Sequence, residues 1–153
     1  MQPNFTAQQL THLLNLIPAN IYWHDVSCKV LGCNLSNLKS MGLTNFDHAV
    51  GKTIYDLVPS TFRSLMAPVI EVDTYVKETG NEVILREVGL NPAGQETIYL
   101  SKKKPLLGTY NQICGIIGIS IDIGVVSSRS QQKNLLEKID ELSCDSTFIK
   151  IYT

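Results

Sequence analysis

The sequence predicts an α+β domain in which an antiparallel sheet carries its helices on one face. Three observations predict it. Apolar residues recur at helical spacing up to Gly80 and alternate beyond it, so the chain switches from the period of a helix to that of a strand. Two short strand-like runs precede the helical region and three follow it. The chain has 153 residues, 44% hydrophobic and 18% charged. That is one domain's worth of polypeptide, and a domain near that size buries roughly 68–70% of the surface its unfolded chain exposes, so a full core needs no staples.

Thr6 and Gln9 form a capping box, and Leu10, Leu13, Leu14 and Ile17 then share one helical face before Pro18 ends the pattern. A leader helix over 1–17 follows, and its apolar face must be covered by the sheet or by a second copy of the chain. Asn20 to Asp25 and Lys29 to Asn34 read as a hairpin about the turn Val26-Ser27-Cys28. Asn34 caps a short helix through Met41, with Gly42 as its stop. Asp47, Gly51 and Pro59 punctuate at most one further helical turn, at 53–57. Phe62, Leu65, Met66, Val69, Val72 or Asp73, and Val76 mark the longest internal helix, with a kink or a late start at Pro68. Val83 to Val88, Thr97 to Leu107 and Gln112 to Ile123 then make a meander turning at 91–94 and 108–111. In the last strand Ile117, Ile119, Ile121 and Ile123 share one face and Cys114, Ile116, Gly118, Ser120 and Asp122 the other, so it reads as central and covered on both sides. Beyond Gly124, Leu135, Ile139 and Leu142 suggest an outgoing helix with a short coiled-coil seam.

Thirteen basic and fourteen acidic residues leave a net charge of −1, which provides no overall field for nucleic acid or an anionic membrane. Neither partner is expected. The longest apolar stretch, 113–123, is far short of the ~18 residues of a membrane span, and the N-terminus lacks a secretory pattern, so a cytoplasmic chain is expected. Cys28, Cys33, Cys114 and Cys144 contain no C-x-x-C pair, and His12, His24 and His48 lack metal-ligand spacing, so the thiols are read as reduced and mostly buried, with no metal. Gly51-Lys52-Thr53 lacks the first glycine of a phosphate loop, since position 46 is Phe46. Gly118 to Asp122 lacks the second glycine of a nucleophile elbow. Lys102, Lys103 and Lys104 read as a solvated edge. No catalytic constellation emerges, and the domain is read as no enzyme.

Six short segments, in order, carry a resemblance: Ile21-Tyr22-Trp23-His24-Asp25, Leu31-Gly32-Cys33-Asn34, Gly51-Lys52-Thr53 with Asp56-Leu57, Glu78-Thr79-Gly80, Ser101-Lys102-Lys103 with Pro105-Leu106, and 115–123. From Leu13 to Ile123 the chain resembles the PAS domain family, in particular the sensory copies at the front of bacterial sensor histidine kinases. The resemblance implies a PAS-like five-stranded antiparallel sheet with short helices and one longer helix on one face, a leader helix (1–17), a sensory domain (18–124) and an outgoing helix (125–153) leading to a C-terminal output domain. It implies a two-component sensor or relay module working as a homodimer. Asp122-Ile123-Gly124 would relay the signal, and Gly124 stands where relatives have a threonine, which loosens the joint.

Cofactor-bearing relatives use handles this chain lacks. The long helix has no histidine for haem, and Cys33-Asn34-Leu35-Ser36 is not the flavin branch's Asn-Cys-Arg-Phe, so neither cofactor is expected. Trp23, Cys33, Tyr55, Met66, Val69 and Tyr99 are expected to line an apolar cavity for a small, largely apolar, non-covalent ligand. A packed core without ligand would use the same stripe, leaving a PAS-type protein–protein interaction module as the alternative.

Overall fold

The computed structural model describes residues 5–125. Helix α1 (Ala7–Leu16) starts at the predicted capping box, with Thr6 and Gln9 exchanging bonds of 2.8 and 3.2 Å. Strands β1 (Asn20–Asp25) and β2 (Val30–Cys33) form the first hairpin, and α2 (Leu35–Ser40) and α3 (Ile54–Leu57) follow with short 3-10 turns between and after them. Helix α4 (Met66–Thr79) starts late, as Pro68 requires: the proline falls in the first turn, where its missing N–H leaves no carbonyl unpaired. Strands β3 (Val83–Leu90), β4 (Glu96–Leu107) and β5 (Ile113–Val125) complete one antiparallel sheet in the order β2-β1-β5-β4-β3. The last strand thus lies between the first hairpin and the meander, pairing with β1 and with β4.

Two clusters fill the inner side. Val72 and Val76 of α4 pack on Val83, Leu85 and Ile116. Val30, Leu38 and Ala49 form the other, with Cys33, Met41 and Leu57 against them. The outer face differs from expectation. Ile116 is fully buried, whereas Ile117 and Ile121 are 39% and 45% exposed, so among the described residues β5 is covered on one side only. Helix α1 buries none of its residues, and Leu10 and Leu13 stay about half exposed, with Leu14 and Ile17 less so. The outgoing helix and its seam, the linker at 127–132 and Cys144 lie outside the described residues. Cys28, Cys33 and Cys114 are free but half-buried, where burial was expected. Among the described residues no helix is long and apolar enough to cross a membrane.

Asn34 joins the leader to the sheet. Its side-chain oxygen accepts from the N–H groups of Ile21 and Asn37, both at 3.0 Å, and its amide donates to the carbonyls of Leu14 (3.1 Å) and Ala19 (2.8 Å). The residue is 3% exposed, so water cannot replace these bonds. Asn34→Ala is expected to lower stability by about 2 kcal/mol, within the range for orphaned buried groups. A denaturant melt with a change under half that size would show the junction to be dispensable.

Candidate functional site: a chamber walled by buried charge

Alternation along β1 sends Tyr22 and His24 inward, and helical spacing along α4 brings Met66, Val69 and Asp73 to face them. Glu87 of β3, Tyr99 and Lys103 of β4 and Ser120 of β5 close a chamber of about 170 Å³. Gly118 makes room, because a Cβ there would overlap the Tyr22 ring.

The polar end of the chamber is a buried ion cluster. Lys103 Nζ lies 2.9 Å from Asp73 Oδ1 and 2.6 Å from Glu87 Oε1, with the lysine side chain 1% exposed and the carboxylates 6% and 13%. The Glu87 contact balances charge but leaves Oε1 without a well-directed hydrogen bond. Asp73 Oδ2 meets His24 Nε2 at 3.2 Å, and His24 Nδ1 faces the Asp25 carbonyl at 3.1 Å. Both ring nitrogens therefore face oxygen atoms, which fixes the ring between Asp73 and the Asp25 carbonyl. Tyr22 stacks near His24 with ring centroids 6.4 Å apart.

Burial works to raise the Asp73 carboxyl, but the hydrogen bond from His24 and the charge and hydrogen bond of Lys103 outweigh it and hold the group below its usual range. Burial likewise works to lower Lys103, and the Tyr22 oxygen, Glu87 and Asp73 reverse it, so the ammonium persists beyond the ordinary lysine range. The Tyr22 phenol is pushed up, first by burial. The chamber thus offers an acid, a base and a phenol beside apolar walls.

Of the residues expected to line the cavity, Met66, Val69 and Tyr99 do so. Trp23, Cys33 and Tyr55 do not. Trp23 alternates with Tyr22 and His24 and lies on the outer face over Gly32, where a Cβ would overlap its indole. Cys33 packs into the second core cluster. Tyr55 is 37% exposed on α3, and its neighbour Ile54 faces the chamber instead. Lys103 is the largest departure, since a solvated edge was expected. Strand β4 is internal, between β5 and β3, and three consecutive strand residues cannot share a face. Lys102 and Lys104 point outward to Glu82, each at 3.0 Å, and Lys103 points in. That alternation, and Asp73 within an apolar helical stripe, were the available signals.

At the exit of the sheet, Thr97 Oγ1 lies 2.5 Å from Asp122 Oδ1 and 2.6 Å from the Gly124 carbonyl, and Asp122 Oδ1 accepts from Gly124 N–H at 3.0 Å. Gly124 takes φ +139°, which suits glycine. The register pairs Asp122 with Tyr99, so a wall residue of the chamber touches the strand end at Asp122-Ile123-Gly124.

No protein-family model and no curated protein matches the chain. Among solved structures it is similar to VqmA bound to DPO, at 24% identity over 77% of this chain and 58% of that one, with a TM-score of 0.68. It is similar to the Vibrio cholerae VqmA dimer, described in connection with DNA binding by LuxR-type receptors, at 23% identity over 79% and 52%, with a TM-score of 0.69. It is also similar to the PAS domain of Bordetella pertussis BvgS, at 22% identity over 88% and 96%, with a TM-score of 0.58. The chain spans a little over half the length of the two VqmA chains. With a DNA-binding receptor among these neighbours, the expectation of no nucleic-acid partner loses its support, because the net charge of one domain does not describe a domain elsewhere in a polypeptide. The strand order, the helices on the inner face and these neighbours agree: the chain has the PAS fold.

Proposed function

We propose that the chain is the ligand-sensing part of a cytoplasmic signal-transduction protein. A small molecule enters the chamber without covalent attachment and without haem or flavin, and the change passes along β5 through Asp122, Ile123 and Gly124 to an output domain of the same polypeptide. The domain itself is not catalytic. The single observation that carries this reading is the ion cluster on the chamber wall. Buried ions are often no better for stability than apolar residues of the same volume, so a set gathered around a cavity is better explained by recognition than by packing. The likeness to VqmA bound to DPO supports a bound ligand.

The domain works as a homodimer, joined through the leader face Leu10, Leu13, Leu14 and Ile17 and the open sheet face about Ile117 and Ile121; the likeness to the VqmA dimer supports this. The longer VqmA chains favour a DNA-binding output domain. A histidine kinase output is the second reading, favoured by the sequence segments that resemble kinase sensory domains.

Calorimetric titration with DPO tests the sensory reading. The wild-type chain is expected to bind one molecule per chamber, and Val69→Phe, which fills the chamber with an apolar ring, is expected to weaken binding at least tenfold while remaining folded. No heat with DPO, together with no small molecule carried by freshly purified protein in native mass spectrometry, would leave the interaction module as the reading to adopt.

A further inference from the structure

The chamber adjoins a second compartment. A groove of about 300 Å³ runs between α2, α3 and the following 3-10 turn on one side and the β3–β4 turn on the other. Asn37, Met41, Ile54, Met66 and Gly89 line both spaces, so the two meet at a neck of shared side chains. The compartments differ in chemistry. The inner one ends on Lys103, Asp73, Glu87 and His24, whereas the groove is walled mainly by Leu57, Val58, Pro59, Phe62 and Leu90. At about 170 Å³ the inner chamber alone falls below the roughly 300–1,000 Å³ of small-molecule sites, and the adjoining groove brings the pair within it. Two methionines stand at the neck, and their unbranched, flexible side chains can part without moving backbone.

We infer that the ligand is elongated and amphipathic, with a compact uncharged polar head in the inner chamber and an unbranched aliphatic tail lying through the Met41–Met66 neck in the groove. The inference rests on the sensory reading above. The head is uncharged because Lys103 already has two carboxylates beside it, so an added anion would meet Asp73 and Glu87 as well as the ammonium. It both accepts and donates: an acceptor faces Lys103, and an N–H faces the Glu87 carboxylate, whose oxygens have lone pairs for a further bond beside the contact with Lys103. A primary amide has both.

Linear primary amides from propanamide to nonanamide, titrated calorimetrically into the chain, test the inference. Affinity is expected to rise about fourfold with each methylene that enters the groove, the equivalent of about 0.8 kcal/mol per CH₂, and then to level off when the groove is full. Ser40→Phe and Val58→Trp place bulk in the groove and away from the inner chamber, and melts by circular dichroism verify that each folds. Each folded variant is expected to flatten the chain-length dependence and to leave the affinity for propanamide within twofold. Equal affinity for short and long amides, or a dependence that survives both variants, overturns the tail assignment and leaves the sensory reading standing. Binding of DPO without binding of any amide overturns the head assignment in the same way. Binding of neither removes both readings.

Discussion

Lys103→Met is expected to lower stability by about 3–5 kcal/mol, because it removes the one cation lying between Asp73 and Glu87 and leaves two buried carboxylates facing each other. Urea melts of the variant measure this. A triple change, Lys103→Met with Asp73→Asn and Glu87→Gln, is expected to recover most of the loss, since no uncompensated charge then remains. A single Lys103→Met variant within 1 kcal/mol of wild type would show that the carboxylates are reached by water or share a proton. The same cluster sets a pH dependence with a definite sign. Asp73 is held below its unfolded value of about 3.9, so its contribution is fully present above that value and is lost as pH falls through its lower folded value. Lys103 is held above its unfolded value of about 10.4, so its contribution is present below that value and is lost only as pH rises through the higher folded value. A wild-type melting profile flat from about pH 5 to 10 and falling in acid is therefore expected. In a variant with all three groups neutralised the acid fall should shrink; an identical fall would move its origin to other carboxylates.

Gly115→Ala is expected to cost at least about 3 kcal/mol, at or beyond the upper end of ordinary overpacking. Gly115 pairs with Asp25 where β5 meets β1, and a Cβ there would overlap the backbone carbonyl of His24. Neither strand can yield without breaking the ladder that aims His24 at Asp73. Contrast Gly118→Ala, whose methyl meets the movable Tyr22 ring and which is expected to cost less while distorting the chamber. Comparing the two variants by thermal melts separates backbone conflict from side-chain crowding, and a Gly115→Ala protein melting with the wild type would mean that β1 and β5 are spaced more widely than described.

Local signals were sufficient wherever local chemistry decides. The Thr6–Gln9 box, Asn34 as a cap, Gly42 with φ +71° and the late start at Pro68 all follow from interactions within a turn or two of chain. Alternation after Gly80 likewise indicated the meander, because strand period depends on which residues meet the core. Cavity lining was legible on α4 and β4, where Met66, Val69 and Tyr99 lay in clear periodic runs. It failed on β1, where a tryptophan drew the assignment to the wrong face; in a run such as Tyr22-Trp23-His24, composition cannot say which phase of the alternation points inward.

By itself, then, the sequence determined the element order, the caps and the α+β class, since each depends on spacing and on neighbours in the chain. Only the tertiary structure decided that Lys103 is buried. Its partners come from β1, α4 and β3, with Asp73 separated from Lys103 by 30 residues, and a lysine is tolerated in a core only where such distant groups converge on its ammonium. The same holds for the chamber itself. Its walls are set by the placement of β5 between β1 and β4, a long-range pairing that fixes which faces of five strands look at α4.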